Sequence, residues 1–204
     1  MTGLRRAGPS GLLIECADGA AVESWRAELW RRREAGQLAA AEIVPGARSV
    51  LIDGLADPAA TAVAIAAWPP PPAAGPASGP LVEIPVRFDG EDLPAVAELW
   101  AIPVPEAARR LCATELRVAF CGFAPGFAYL TGLPARWAVP RLDTPRARVP
   151  AGSVALAGEY AGIYPSGSPG GWRLVGRTEV TLFDLDRDPP ALLAPGTRVR
   201  LVER

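Results

Sequence analysis

Arginine is where the chemistry of this chain must begin. All 21 basic residues are Arg, because the sequence holds no His and no Lys. Without His there is no Ser-His-Asp triad, no Cys-His pair and no His-ligated metal. Without Lys there is no Schiff base and no phosphate-loop lysine. The stretch from Pro140 to Pro150 sets Arg141, Arg146 and Arg148 between rigid prolines. A guanidinium there can grip a carboxylate or phosphate with two parallel hydrogen bonds. The plain alternative is a solvated loop in which Arg146 or Arg148 pairs with Asp143.

A second candidate lies just upstream. Gly122 to Leu130 carries Phe123, Phe127 and Tyr129 around a Pro125-Gly126 turn. Such rings either face a groove or plug the end of a barrel. Two Gly/Ser segments follow, Ala151-Gly152-Ser153 and Ser166 to Trp172, where backbone can approach a ligand closely and successive N–H groups can cradle an anion. Neither is a phosphate loop, since no GK[ST] occurs. Ser166 to Gly170 falls short of a nucleophile elbow: its first Gly and a His partner are missing. No residue is assigned a catalytic role, although Glu159 or Asp143 could act as a base in a suitable environment.

Half of the residues are apolar, enough for a substantial core, and the net charge of −1 argues against a nucleic-acid surface. Cys16, Cys112 and Cys121 are odd in number and form no CxxC pair, so neither zinc nor a disulfide framework is expected and a reducing compartment fits. The longest apolar run, Ala59 to Trp68, falls well short of the roughly 18 residues of a membrane span, so a cytoplasmic protein is expected.

These segments need elements to position them. The proline-rich stretch Pro69 to Pro80 can join neither a helix nor the middle of a sheet, so it marks a linker between domains at residues 1–68 and 81–204. In the first, Gly11 to Cys16 reads as a strand. Asp18 caps a helix to about Glu34 that presents Val22, Trp25 and Leu29 on one face. Strands follow over Glu42 to Val44 and Ser49 to Asp53, and Asp57-Pro58 opens a second helix. The second domain starts with a strand over Leu81 to Phe88 and two helical stretches near Asp92 to Trp100 and Pro105 to Cys112. Short runs at Arg117–Cys121, Ser153–Ala157, Arg173–Val175, Thr178–Phe183 and Thr197–Val202 suggest a β-barrel or sandwich.

Four words in the C-terminal half carry a resemblance: GFAPGFAYLTGLP (122–134), PRLDTPRARVPAGSVALAG (140–158), GIYPSGSPGGWRLVGRT (162–178) and PPALLAPGTRVRL (189–201). They resemble the allophanate hydrolase subunit 1 family, understood largely as the B subunit of the bacterial ATP-dependent 5-oxoprolinase. That family also includes the Kip-type inhibitor of the sporulation histidine kinase and part of urea carboxylase. EIVPGARSVLI (42–52) and IPVRF (84–88) extend the likeness more weakly toward the N-terminus. The resemblance implies an α+β chain with an N-terminal ferredoxin-like domain and a C-terminal cyclophilin-like β-barrel. It implies a component that works with a C subunit (allophanate hydrolase subunit 2-like) as partner and with an A subunit, cleaving 5-oxoproline to glutamate with ATP bound mainly by the partners. The alternatives are a binding protein that inhibits a sensor histidine kinase and a carboxyltransferase part like that of urea carboxylase.

On that reading Arg141, Arg146, Ser153, Tyr164, Ser168 and the Gly170-Gly171 backbone contact substrate, and Arg141 and Arg146 line the barrel's open groove. Trp172 and Phe183 are expected in the core. Two departures from the family words stand out. No His occurs over Arg110 to Ala113, and Gly158-Glu159-Tyr160-Ala161 replaces the usual Gly-Gly-Gln-Thr, putting Tyr160 where an amide would stand.

Overall fold

A computed structural model describes residues 3–73 and 79–204 of the chain. The chain divides into two compact units, residues 1–76 and 77–204. The central part of the expected linker, residues 74–78, lies outside the described residues.

The first unit is built from β1 (Gly3–Ala7), β2 (Gly11–Glu15), α1 (Gly19–Glu34), β3 (Glu42–Pro45), β4 (Ser49–Asp53) and α2 (Pro58–Ala67). The strands form an antiparallel sheet in the order β1-β2-β4-β3. Local chemistry explains both helix starts. The Asp18 side chain accepts a hydrogen bond from the Ala21 N–H at 2.8 Å. Asp57 does the same for Ala59 and Ala60, with Pro58 pre-set for the first turn. Strand alternation puts Leu12, Ile14, Val50 and Ile52 on one face, where they meet Val22, Trp25, Leu29 and Ile65 of the helices in a single core. β2 lies between β4 and β1, the latter preceding it in a hairpin.

The second unit opens with β5 (Leu81–Val86), α3 (Leu93–Leu99) and α4 (Val104–Ala113). There follow β6 (Glu115–Cys121), β7 (Ala128–Thr131), β8 (Arg146–Val149), β9 (Ser153–Ala157), β10 (Tyr160–Ile163), β11 (Ser168–Gly170), β12 (Arg173–Arg177) and β13 (Arg198–Glu203). Seven of these strands make one sheet in the order β12-β9-β10-β7-β6-β13-β5, while β8 and β11 pair as a separate ribbon. The sheet's two ends meet at one bridge, Arg87 to Arg177, so it is a nearly closed barrel. Its core is mostly aliphatic, with Ile84, Val118, Leu130, Leu156 and Leu201 among the buried residues and Trp100 at its margin.

One expected strand is absent. Thr178 to Phe183 is irregular apart from a single bridge between Phe183 and Ala191. The Thr178 hydroxyl accepts a bond from the Val180 N–H at 3.2 Å, which turns the backbone away from a ladder. Phe183 is accordingly half-buried rather than a core residue. No helix among the described residues is long and apolar enough to cross a membrane.

Candidate functional site: an aromatic pocket flanked by arginine

Beside the aliphatic core sits a second, ring-filled cluster. Phe127, Tyr164 and Trp172 are buried in it. Phe127 contacts Tyr164 at 5.3 Å and Trp172 at 5.4 Å between centroids, both edge to face. Tyr129 reaches Trp172 at 5.6 Å and stacks on Phe120 at 4.3 Å. These offset and T-shaped arrangements suit the ring quadrupoles and make the cluster rigid.

The glycines of the family words serve this packing. A Cβ on Gly170 would collide with the Tyr164 hydroxyl, and one on Gly162 would lie 3.0 Å from both Phe127 and Trp172. Any side chain at either position would have to displace a ring.

The cluster opens into a pocket of about 120 Å³ lined by rings, the Pro169-Gly170-Gly171 backbone and Arg141. Arg141 lies over the Trp172 ring, 5.9 Å from its centroid. Tyr164 is 2% exposed. Burial pushes its hydroxyl above the ordinary phenol range, opposed by a backbone hydrogen bond at Trp172 and by the Arg141 charge. The pocket therefore combines flat apolar walls, a neutral phenol and one guanidinium at its edge. It can hold a small flat molecule by its faces and an acid group on that molecule by charge.

The structure brings Arg141, Tyr164, Gly170, Gly171, Phe123, Phe127 and Tyr129 to this pocket. Phe127 is 1% exposed and Phe123, held at a φ of +72°, is 62% exposed, so the loop both plugs and presents. Trp172 is buried as expected, yet it also forms a pocket wall. Tyr160 stands one ring further out, edge-on to Phe120 at 5.7 Å and to Tyr129 at 5.8 Å. Burial, then the neighbouring Glu159, raises its hydroxyl pKa.

Arg146 corrects the sequence reading. Instead of lining this pocket it points at Glu91 and Asp92, with contacts of 2.6 and 2.8 Å. The same Asp92 oxygen accepts the buried Leu174 N–H at 2.7 Å. Arg146 thus ties the ribbon to the start of α3, and Asp143 is not its partner. Ser153 is 6% exposed and borders a different hollow, with Asp89, Glu91 and Arg177. The Ser168 hydroxyl is enclosed without a hydrogen-bond partner among the described residues and does not line the aromatic pocket. Sequence reasoning missed Phe120, whose apolar position in a strand was the available signal. It also missed Asp92, for which no local signal exists because its partners lie 54 and 82 residues away.

A nearly closed barrel that carries an arginine-edged ring pocket thus stands in one chain with a small α/β unit. The chain belongs to the family described as carboxyltransferase domain, subdomain C and D, which it matches over residues 2–193. It is 44% identical over 124 residues to the B subunit of 5-oxoprolinase from Escherichia coli O157:H7, covering 59% of this chain and 57% of that one. The chain thus spans little more than half the length of that curated relative. A conserved uncharacterized protein from Pyrococcus horikoshii superposes with a TM-score of 0.59 at 32% identity, over 99% of this chain and 97% of that one. The fold recurs in the K. lactis urea amidolyase at 23% identity and a TM-score of 0.74, over 98% of this chain and 15% of that one.

Proposed function

We propose that this chain is the B-type component of an ATP-dependent 5-oxoprolinase, inactive alone and completed by a C-type partner (allophanate hydrolase subunit 2-like) together with an A-type one. The observation that carries the reading is Arg141, which has no ion pair among the described residues and stands at the edge of a ring-walled pocket. A cyclic amide acid such as 5-oxoproline has the matching parts: a flat ring for the aromatic walls and a carboxylate for the guanidinium. When water adds to the lactam carbonyl the oxygen gains negative charge, and the Gly170-Gly171 N–H groups are candidates to receive it. The relative's name, which makes it the B subunit of 5-oxoprolinase, supports this substrate class. On this reading the two units take the ferredoxin-like and cyclophilin-like folds, and the partners bind most of the ATP.

The inventory explains the need for partners. Among the described residues no carboxylate lines the aromatic pocket, so neither Glu159 nor Asp143 stands there as a general base. The test is co-purification with the C-type and A-type proteins of the same source, followed by 5-oxoproline-dependent ATP hydrolysis. The isolated chain should show none, the complex should turn over, and Arg141→Gln in the complex should cut kcat/KM at least tenfold. Full activity of the Arg141→Gln complex would overturn the assignment.

A further inference from the structure

Closing the barrel sets two like charges side by side. Arg87 follows β5, Arg177 ends β12, and each backbone N–H donates to the other's carbonyl at 2.9 Å. Residues paired in this way sit about 5.5 Å apart at Cα, with both side chains on the same face. Like charges directly opposite one another repel. A third guanidinium joins them, because the Arg204 N–H donates to the Val86 carbonyl at 3.0 Å, next to Arg87. All three arginines line one hollow of about 340 Å³, with Thr178 and Glu179.

Neighbouring carboxylates offset this charge only in part. Asp89 lies 2.7 Å from Arg177 and Glu179 lies 2.8 Å from Arg204. All four of these side chains are well exposed, at 62% and 38% for the first pair and 66% and 84% for the second. Such pairs are weak and yield readily to a better ligand. Arg87 has no ion pair among the described residues. The backbone bridge therefore holds a cationic face in place whether or not an anion is there.

We propose that this hollow is a binding site for a phosphate-bearing ligand, with Arg87 and Arg177 gripping one phosphate group and Arg204 a second. Phosphate fits better than a single carboxylate, because three guanidinium forks offer more donors than two oxygens can accept. The hollow shares no lining residue with the aromatic pocket. The proposal therefore does not rest on the hydrolase reading, and either can fail alone. Free polyphosphate and the phosphate tail of a nucleotide present the same chemistry.

Isothermal titration of the full chain with tripolyphosphate and, separately, with ATP tests the site and distinguishes those sources. Saturable binding of tripolyphosphate is expected, weakened at least tenfold by Arg87→Gln at unchanged thermal stability, and weakened when salt rises from about 50 to 200 mM. Arg109→Gln, which removes the same charge from an exposed position on α4, should leave binding intact. Equal affinity for ATP and tripolyphosphate would show that phosphates alone are read, and tighter binding of ATP would identify a nucleotide as the ligand. The proposal fails if tripolyphosphate does not bind, if Arg87→Gln binds as well as the wild type, or if Arg109→Gln weakens binding as much as Arg87→Gln does.

Discussion

Glu28 in the first unit and Asp92 in the second are both buried carboxylates facing two arginines, yet they are built differently. Glu28 takes Arg31 and Arg32 from its own helix, at 2.8 and 2.6 Å, three and four residues along. Asp92 takes Arg146 at 2.8 Å and lies 3.8 Å from Arg173, and it also accepts the Leu174 N–H. The first cluster costs little to assemble because the helix already places its members. The second joins three distant pieces of chain, so its formation depends on the barrel and the barrel depends on it. Similar side chains thus decorate one element and hold another together.

The largest effect is expected at Asp92. Asp92→Ala would leave Arg146 with the exposed Glu91 and a longer bond to the Trp172 carbonyl, and would strip a buried N–H of its acceptor, so a loss of about 3 kcal/mol is expected in urea unfolding. A loss under about 1 kcal/mol would mean that water replaces the carboxylate and that the two clusters are alike. Next comes Arg146→Lys, which keeps the charge but cannot reach Glu91 and Asp92 together with one planar fork. A cost of about 1–2 kcal/mol is expected, against no measurable change for Arg141→Lys, whose guanidinium has no ion-pair partner among the described residues to lose. Glu28→Gln should cost about 1 kcal/mol, because its partners are local and Arg31 is largely exposed.

A pH series sharpens the same contrast. The hydrogen bond from Arg31, then that from Arg32, holds the Glu28 carboxyl down at about 2 despite its burial. A carboxyl with a lowered folded pKa stabilises the protein above its ordinary value of 4.5, and that stabilisation is lost as pH falls toward 2. Urea midpoints measured between those limits should therefore fall less steeply with acidification for Glu28→Gln than for the wild type. Parallel curves would show that other carboxylates dominate acid sensitivity.

What could be read from the sequence follows the same division between local and distant partners. The caps at Asp18 and Asp57, the apolar stripe of α1 and the alternation of β2 and β4 are local signals, and the structure reproduces each of them. The edge strand β1 is not legible because Arg5, Arg6 and Gly8 interrupt any alternation. In the second unit, β7, β8, β10 and β11 are three or four residues long, too short to show a period, and β10 and β11 also contain Gly or Pro. The ring cluster is visible because Phe123, Phe127 and Tyr129 crowd into one word. Arg146 misleads for the opposite reason, since nothing near it in sequence announces Asp92.

The loop after β5 has a consequence for how copies of this chain behave in a crowded solution. Beyond the Arg87–Arg177 bridge, the Gly90 N–H donates to the Val175 carbonyl at 3.3 Å and the Asp92 N–H to the Leu174 carbonyl at 2.9 Å. The outer margin of β12 is thereby occupied by the chain itself and offers little to an incoming strand. The first unit protects its margins by other means. Its outer strand β1 carries Arg5 and Arg6, and its other outer strand, β3, ends in a proline that has no N–H to give. Charge, proline and a covering loop are three separate devices against edge-to-edge aggregation, and this one chain uses all of them.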